Sequence, residues 1–209
     1  MCHAPDTTLG DTCGLPDRQP VLLGDRLSRP TRLRLSDGFT ILEARTQPRS
    51  DMNLILWRHA EAEELPDPLS LSRHADLQRP LTRRGRKQAD ASAAWLRAQL
   101  PAHTRVLCSP ALRTRETAAA FTGKSEIVDD LAPGADVSTV LDAIGWPQGD
   151  ENVVVVGHQP WLGRLASLLL AGTEMDWSVR KSGIWWLASR TRESEAQTVL
   201  RAVINPEFL

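Results

Sequence analysis

Several protein classes are excluded by what this 209-residue chain has little of. Cysteine occurs three times, at Cys2, Cys13 and Cys108, an odd count without paired spacing, which argues against a disulfide framework or a zinc knuckle. Cys2, His3 and Cys13 could supply three metal ligands, but a fourth ligand and the usual spacing are missing. Net charge is also lacking: 25 Lys and Arg face 26 Asp and Glu, leaving −1. Nucleic acid and anionic membrane surfaces both call for a concentrated basic face, so neither is the expected partner. No run approaches the roughly 18 apolar residues of a membrane span, and the N-terminal stretch holds no apolar signal-peptide core. The expectation is a soluble, cytoplasmic protein, and no surface pattern in the sequence indicates an oligomeric state.

What the chain does have is unevenly distributed. Residues 1–51 contain five prolines, four glycines and seven charges of each sign, with little sustained periodicity. Such a stretch buries too little apolar surface to offset its ordering entropy. The exception is Leu33, Leu35, Asp37-Gly38, Phe39 and Ile41, which reads as a short hairpin around an Asp-Gly turn. The expectation for 1–51 is therefore a flexible extension or an artefact of an upstream start codon. All seven tryptophans lie beyond Met52. From there, apolar β-like runs at 53–57, 105–108, 126–128, 152–157, 184–188 and 198–204 alternate with helical patterns. Thr82 is a good N-cap for a helix over 83–100, where Ala89, Ala93, Leu96 and Leu100 form one stripe. Weaker helices are expected at 110–122 and at 135–145, the latter closing at Gly145. Another opens at Pro160, turns Trp161, Leu165, Leu168 and Leu169 inward, and stops at Gly172. Alternation of this kind predicts a three-layer α/β/α domain over 52–209 with a mostly parallel central sheet. A domain of this size buries about 70% of its unfolded surface and needs no staple. The unbroken Val153 to Val156 is the clearest strand covered on both faces.

Three of these strands end in reactive or phosphate-friendly groups. The first ends Arg58-His59-Ala60. The second ends Cys108-Ser109-Pro110 and runs into a helix carrying Arg113. A later one ends Gly157-His158-Gln159-Pro160. Ligands of open α/β sheets sit beyond the carboxyl ends of the strands, so Arg58, His59, Arg113 and His158 could converge on one pocket. Taken singly, each has an ordinary explanation as a loop or surface residue; Arg115 is as plausible a surface arginine as Arg113.

In this order the motifs resemble the histidine phosphatase superfamily, with its phosphoglycerate-mutase-like fold. The resemblance rests on Arg58-His59-Ala60, on Arg79-Pro80-Leu81-Thr82 before the long helix, on Ser109 through Arg113 to Thr117, and on Gly157-His158-Gln159-Pro160. It covers 52–209, including Asn205-Pro206, and is nearest to the short SixA branch of phosphohistidine phosphatases. Implied are a nucleophilic His59, which would form a covalent phosphohistidine intermediate, and Arg58, Arg113 and His158 around the phosphoryl oxygens. A guanidinium fork matches phosphate oxygens and stays charged. No metal or other cofactor is implied.

Two departures stand out. Ala60 replaces the customary glycine. The usual position of the proton-donating carboxylate, after Leu131-Ala132, holds Pro133. Glu61, Asp129 and Asp130 are the nearby substitutes, although each is better explained as a solvated loop carboxylate. An alkoxide is hard to expel without an acid, whereas an imidazole departs readily because its conjugate acid has a pKa near 6.5. The expected substrate is accordingly protein phosphohistidine. The alternatives are a small phosphorylated molecule, turned over by a phosphomonoesterase or mutase of the same fold, or simple phosphate binding without catalysis. Gly123-Lys124-Ser125 resembles the end of a P-loop, but Ala118 stands where glycine is required, so it reads as a helix-to-strand turn. Trp185-Trp186 reads as one tryptophan on each sheet face.

Overall fold

Four consecutive β-branched residues set the middle of the domain. In the computed structural model, which describes residues 52–65, 72–101, 103–147, 151–192 and 195–209, Val153 to Val156 are almost fully buried. Among the described residues, six strands form one sheet: β1 (Asn53–Arg58), β2 (Thr104–Cys108), β3 (Glu126–Ile127), β4 (Asn152–Gly157), β5 (Ile184–Arg192) and β6 (Glu195–Ile204). Their order is β3-β2-β4-β1-β5-β6. β1 to β4 pair in parallel, and β5 and β6 close one edge as an antiparallel hairpin. Residues 1–51, with the hairpin expected at Leu33 to Ile41, lie outside the described residues.

Alternation along the strands divides the core in two. Leu54, Leu56, Leu107, Val153 and Val155 face α4 (Val137–Ile144) and α5 (Trp161–Ala171). Ile55, Trp57, Val106, Cys108, Val154 and Val156 face α2 (Arg83–Gln99) and α3 (Leu112–Phe121). At about 1.5–3 kcal/mol for each fully buried aliphatic side chain, these two layers are the main source of stability. The expected α/β/α architecture is therefore what forms. Gly145 and Gly172 end α4 and α5 with φ of +75° each, the left-handed cap that glycine adopts without steric cost. Trp161 and Leu165 are buried as expected, whereas Leu168 and Leu169 are only half-buried against the same core. Trp185 packs with Trp177 on one face, and Trp186 meets Trp95 edge-on across the other. Residues 122–125 form the turn between α3 and β3.

One helix has no counterpart in the sequence reading. α1 (Arg73–Leu77) is capped by Ser72, whose hydroxyl accepts from the Ala75 amide, and it buries none of its residues.

Candidate functional site

Strand register brings the reactive residues together. β1 and β4 are neighbours with Arg58 opposite Gly157, so His59 and His158 leave the sheet side by side. β2 lies on the other side of β4 with Cys108 opposite Val156, which puts Ser109 beside His158. The His59 amide donates to the Gly157 carbonyl at 3.1 Å, and the Ser109 amide donates to Val156 at 3.2 Å, extending the sheet ladder into the site. The two imidazole rings lie 5.1 Å apart and are nearly buried, at 8% and 2% exposure.

Each ring is held by one hydrogen bond. His59 Nδ1 is 2.8 Å from the Ala60 carbonyl, which can only accept. The proton therefore sits on Nδ1, and Nε2 keeps a free lone pair. His158 Nε2 is 2.8 Å from the Ser109 hydroxyl. Ser109 Oγ also accepts from the Ala111 amide at 3.3 Å, so its own proton is available to His158 Nε2. With that proton donated to Nε2, the neutral His158 ring carries its own on Nδ1, a buried nitrogen with no protein partner. Burial lowers the pKa of His59 to about 3; the Ala60 bond opposes this shift, and Arg113, Arg58 and Arg79 reinforce it. Burial likewise lowers His158 to about 2, assisted by His59 and the same arginines. Both rings are neutral at physiological pH.

The arginines are fixed from outside the sheet. Arg58 Nη1 donates to the Val179 carbonyl at 2.7 Å, while its Nε is buried without a partner. Arg113, 4% exposed, extends from the first turn of α3 toward α1. Its Nη1 donates to the Asp76 carbonyl at 2.6 Å, and Nη2 pairs with the Asp76 carboxylate at 3.0 Å. Asp76 also pairs with Arg79 at 3.0 Å. Burial raises the Asp76 carboxyl pKa, but the Arg113 and Arg79 guanidiniums outweigh that and hold it below its ordinary value. Asp76 was missed in the sequence because it stands in a helix without an apolar stripe. Its one visible cue is its place three residues before Arg79.

The surrounding backbone is tightly specified. Ser182, buried with φ of 58°, donates its amide to the His59 carbonyl at 3.1 Å and its hydroxyl to the Gln88 carbonyl at 3.1 Å. A Cβ on Gly85 would collide with the Glu61 carbonyl oxygen, so glycine is what lets α2 approach the segment after His59. Ala60 is fully buried, its amide donates to Thr117 Oγ1 at 3.1 Å, and its methyl packs with Ala62, Leu81 and Ala89. Alanine in place of glycine is thus absorbed by packing.

The carboxylates singled out in the sequence stand beside residues of this site: Glu61 shares a cavity wall with Arg58, and Asp129 and Asp130 share one with Asp76. Glu61 accepts from the Thr82 hydroxyl at 3.0 Å and lies 3.8 Å from Arg84. Asp129 and Asp130 are exposed, and with Asp76 they line a cavity of about 460 Å³. Among the described residues, no carboxylate hydrogen-bonds either histidine. Nor, among those residues, is any group of three or more His, Cys, Asp or Glu placed to hold a metal ion. Cys2, His3 and Cys13 lie outside them, and Cys108 is buried in the core. No helix among them is long and apolar enough to cross a membrane.

Residues 54–133 match the Histidine phosphatase superfamily (branch 1). An uncharacterised protein of Mycobacterium tuberculosis is 39% identical over 127 residues, covering 56% of this chain and 73% of that protein. The phosphohistidine phosphatase SixA of Escherichia coli is 31% identical over 130 residues, covering 58% of this chain and 76% of the relative. The solved structure of the protein histidine phosphatase SixA complexed with tungstate superposes with a TM-score of 0.59 at 27% identity, over 75% of this chain and 99% of that one. The shared fold is phosphoglycerate-mutase-like. With parallel strands delivering two histidines to one end of the sheet, the chain belongs to the histidine phosphatase superfamily, in its SixA-type branch.

Proposed function

We propose that the chain is a phosphohistidine phosphatase in which His59 carries the phosphoryl group. The observation that carries this reading is the pair of buried, neutral imidazoles 5.1 Å apart, one with its Nε2 lone pair free. His59 Nε2 attacks phosphorus, the bond to the leaving group breaks, and a water then displaces the phosphoryl group from His59 to give inorganic phosphate. Arg58, Arg113 and the His158 Nδ1–H surround the equatorial oxygens, where charge accumulates. Each such preorganised donor contributes about 3 kcal/mol of transition-state stabilisation.

The leaving group sets the substrate class. With Pro133 at the position where related enzymes carry their proton-donating carboxylate, a leaving group that departs without a strong protein acid is favoured. A protonated imidazole meets that condition and an alkoxide does not. The related SixA protein is named a phosphohistidine phosphatase, and its relative's complex with tungstate, a tetrahedral oxyanion, suits a phosphate pocket. Turnover of a phosphohistidine protein should exceed that of simple phosphate monoesters by at least about a hundredfold in kcat/KM. Efficient hydrolysis of monoesters with none of the phosphoprotein would overturn the reading.

A further inference from the structure

Beside Arg58 lies a second cavity of about 560 Å³, and apart from Arg58 the chemistry above uses none of its lining residues. It is walled by Arg58, Arg84, Arg180 and Lys181, with Glu61 and Glu207 as the opposing charges. Four cations against two carboxylates make a local positive excess in a chain whose net charge is −1. Glu61 is committed to Thr82 and Arg84. Arg180 and Lys181 are exposed and make no ion pair among the described residues.

The placement of these cations is not explained by folding. α2 begins Arg83-Arg84-Gly85-Arg86-Lys87, with no acidic residue in its first turn. A helix N-terminus favours anions, so cations there are locally unfavourable. Arg86 is occupied by the Leu81 carbonyl at 2.8 Å, but Arg84 extends to the cavity with 76% of its side chain exposed. Arg180 and Lys181 sit in the loop whose Val179 carbonyl holds Arg58. The cations therefore reach the cavity from three separate chain segments, the end of β1, the start of α2 and the loop before β5, and flank one edge of the phosphoryl site.

We propose that this basic cavity docks an acidic protein surface next to the phosphorylated histidine of the substrate. The inference rests on the phosphohistidine reading and adds the character of the partner. Small-molecule sites are mostly apolar with a few fixed polar groups. Here the walls are charged or polar apart from Pro206, and the cations are long and exposed. Such a lining suits charge complementarity between two surfaces, which acts on encounter and selection more than on chemistry.

The test compares two substrates on the full chain: inorganic phosphoramidate, and a phosphohistidine protein with acidic residues flanking the modified histidine. The double variant Arg180→Glu, Lys181→Glu should lower kcat/KM for the phosphoprotein by about tenfold or more and leave phosphoramidate turnover within about twofold. The alanine pair Arg180→Ala, Lys181→Ala should give a smaller loss and flatten the salt dependence of phosphoprotein turnover. Neutralising the flanking acids on the substrate should produce the same loss with the unaltered enzyme. Equal losses on both substrates, or none on the phosphoprotein, would overturn the docking role while leaving the phosphatase reading intact. An unaltered enzyme that hydrolyses monoesters but neither phosphoramidate nor the phosphoprotein would overturn both.

Discussion

The phosphoryl end of the sheet and the basic cavity next to it share Arg58 but are built on opposite principles. At the phosphoryl end, His59, His158 and Arg113 are nearly buried, and each is held by at least one named hydrogen bond. In the cavity, Arg84, Arg180 and Lys181 are exposed, and the last two have no ion-pair partner among the described residues. Burial keeps the imidazoles neutral and makes a fixed dipole or charge strong; exposure leaves a cation screened, mobile and adaptable. The difference separates a region that can perform a bond-breaking step from one that can select what is presented to it. Changes in the first should alter kcat whatever the substrate, and changes in the second should alter kcat/KM for protein substrates alone.

The strongest way to break this contrast is at the nucleophile. His59→Ala should reduce hydrolysis of every substrate by at least on the order of 10⁴-fold. Steady-state assays on phosphoramidate and phosphoprotein would show it, and a loss confined to the phosphoprotein would erase the distinction. Next in size is the pH response of the two buried imidazoles. In the folded chain they refuse protons until about pH 3 and 2. The unfolded chain takes them up below about pH 6.5, so stability should fall as pH drops from 6.5 toward 4. The slope is up to about 1.4 kcal/mol per pH unit for each histidine. Urea denaturation at a series of pH values would measure it, and replacing both histidines by alanine should remove that slope. Smallest is the effect of Asp76. Asp76→Ala should lower kcat/KM about tenfold on both substrates, by releasing Arg113 beside Arg79, with Asp76→Asn recovering most of the loss because its amide oxygen still accepts. Higher activity in Asp76→Ala would instead make the carboxylate an occupant that competes with phosphate for Arg113.

The same contrast explains what could be read from the sequence. Among the described residues, all six strands and four of the five α-helices announce themselves through apolar periodicity and caps such as Thr82, Gly145 and Gly172. The four candidate site residues could be picked out because strand ends and motif order mark them. β5 runs to Arg192 rather than ending at 188 because its outer part, beyond the reach of β1, pairs with β6 alone. α1 and Asp76 were not legible: the helix buries nothing, and its role arises from Arg113, 37 residues away in the chain. The basic cavity was hidden for the same reason, since Arg84 and Lys181 meet only once α2 and the 178–181 loop are folded side by side.

The phosphoryl group itself provides the most direct test of the central claim. After rapid mixing with a ³²P-labelled phosphohistidine protein and alkaline quench, the chain should carry a label that is acid-labile and base-stable, mapped by peptide analysis to His59 and absent from His59→Ala. Label on His158, or full turnover without any labelled enzyme under conditions where formation outruns hydrolysis, would contradict the account.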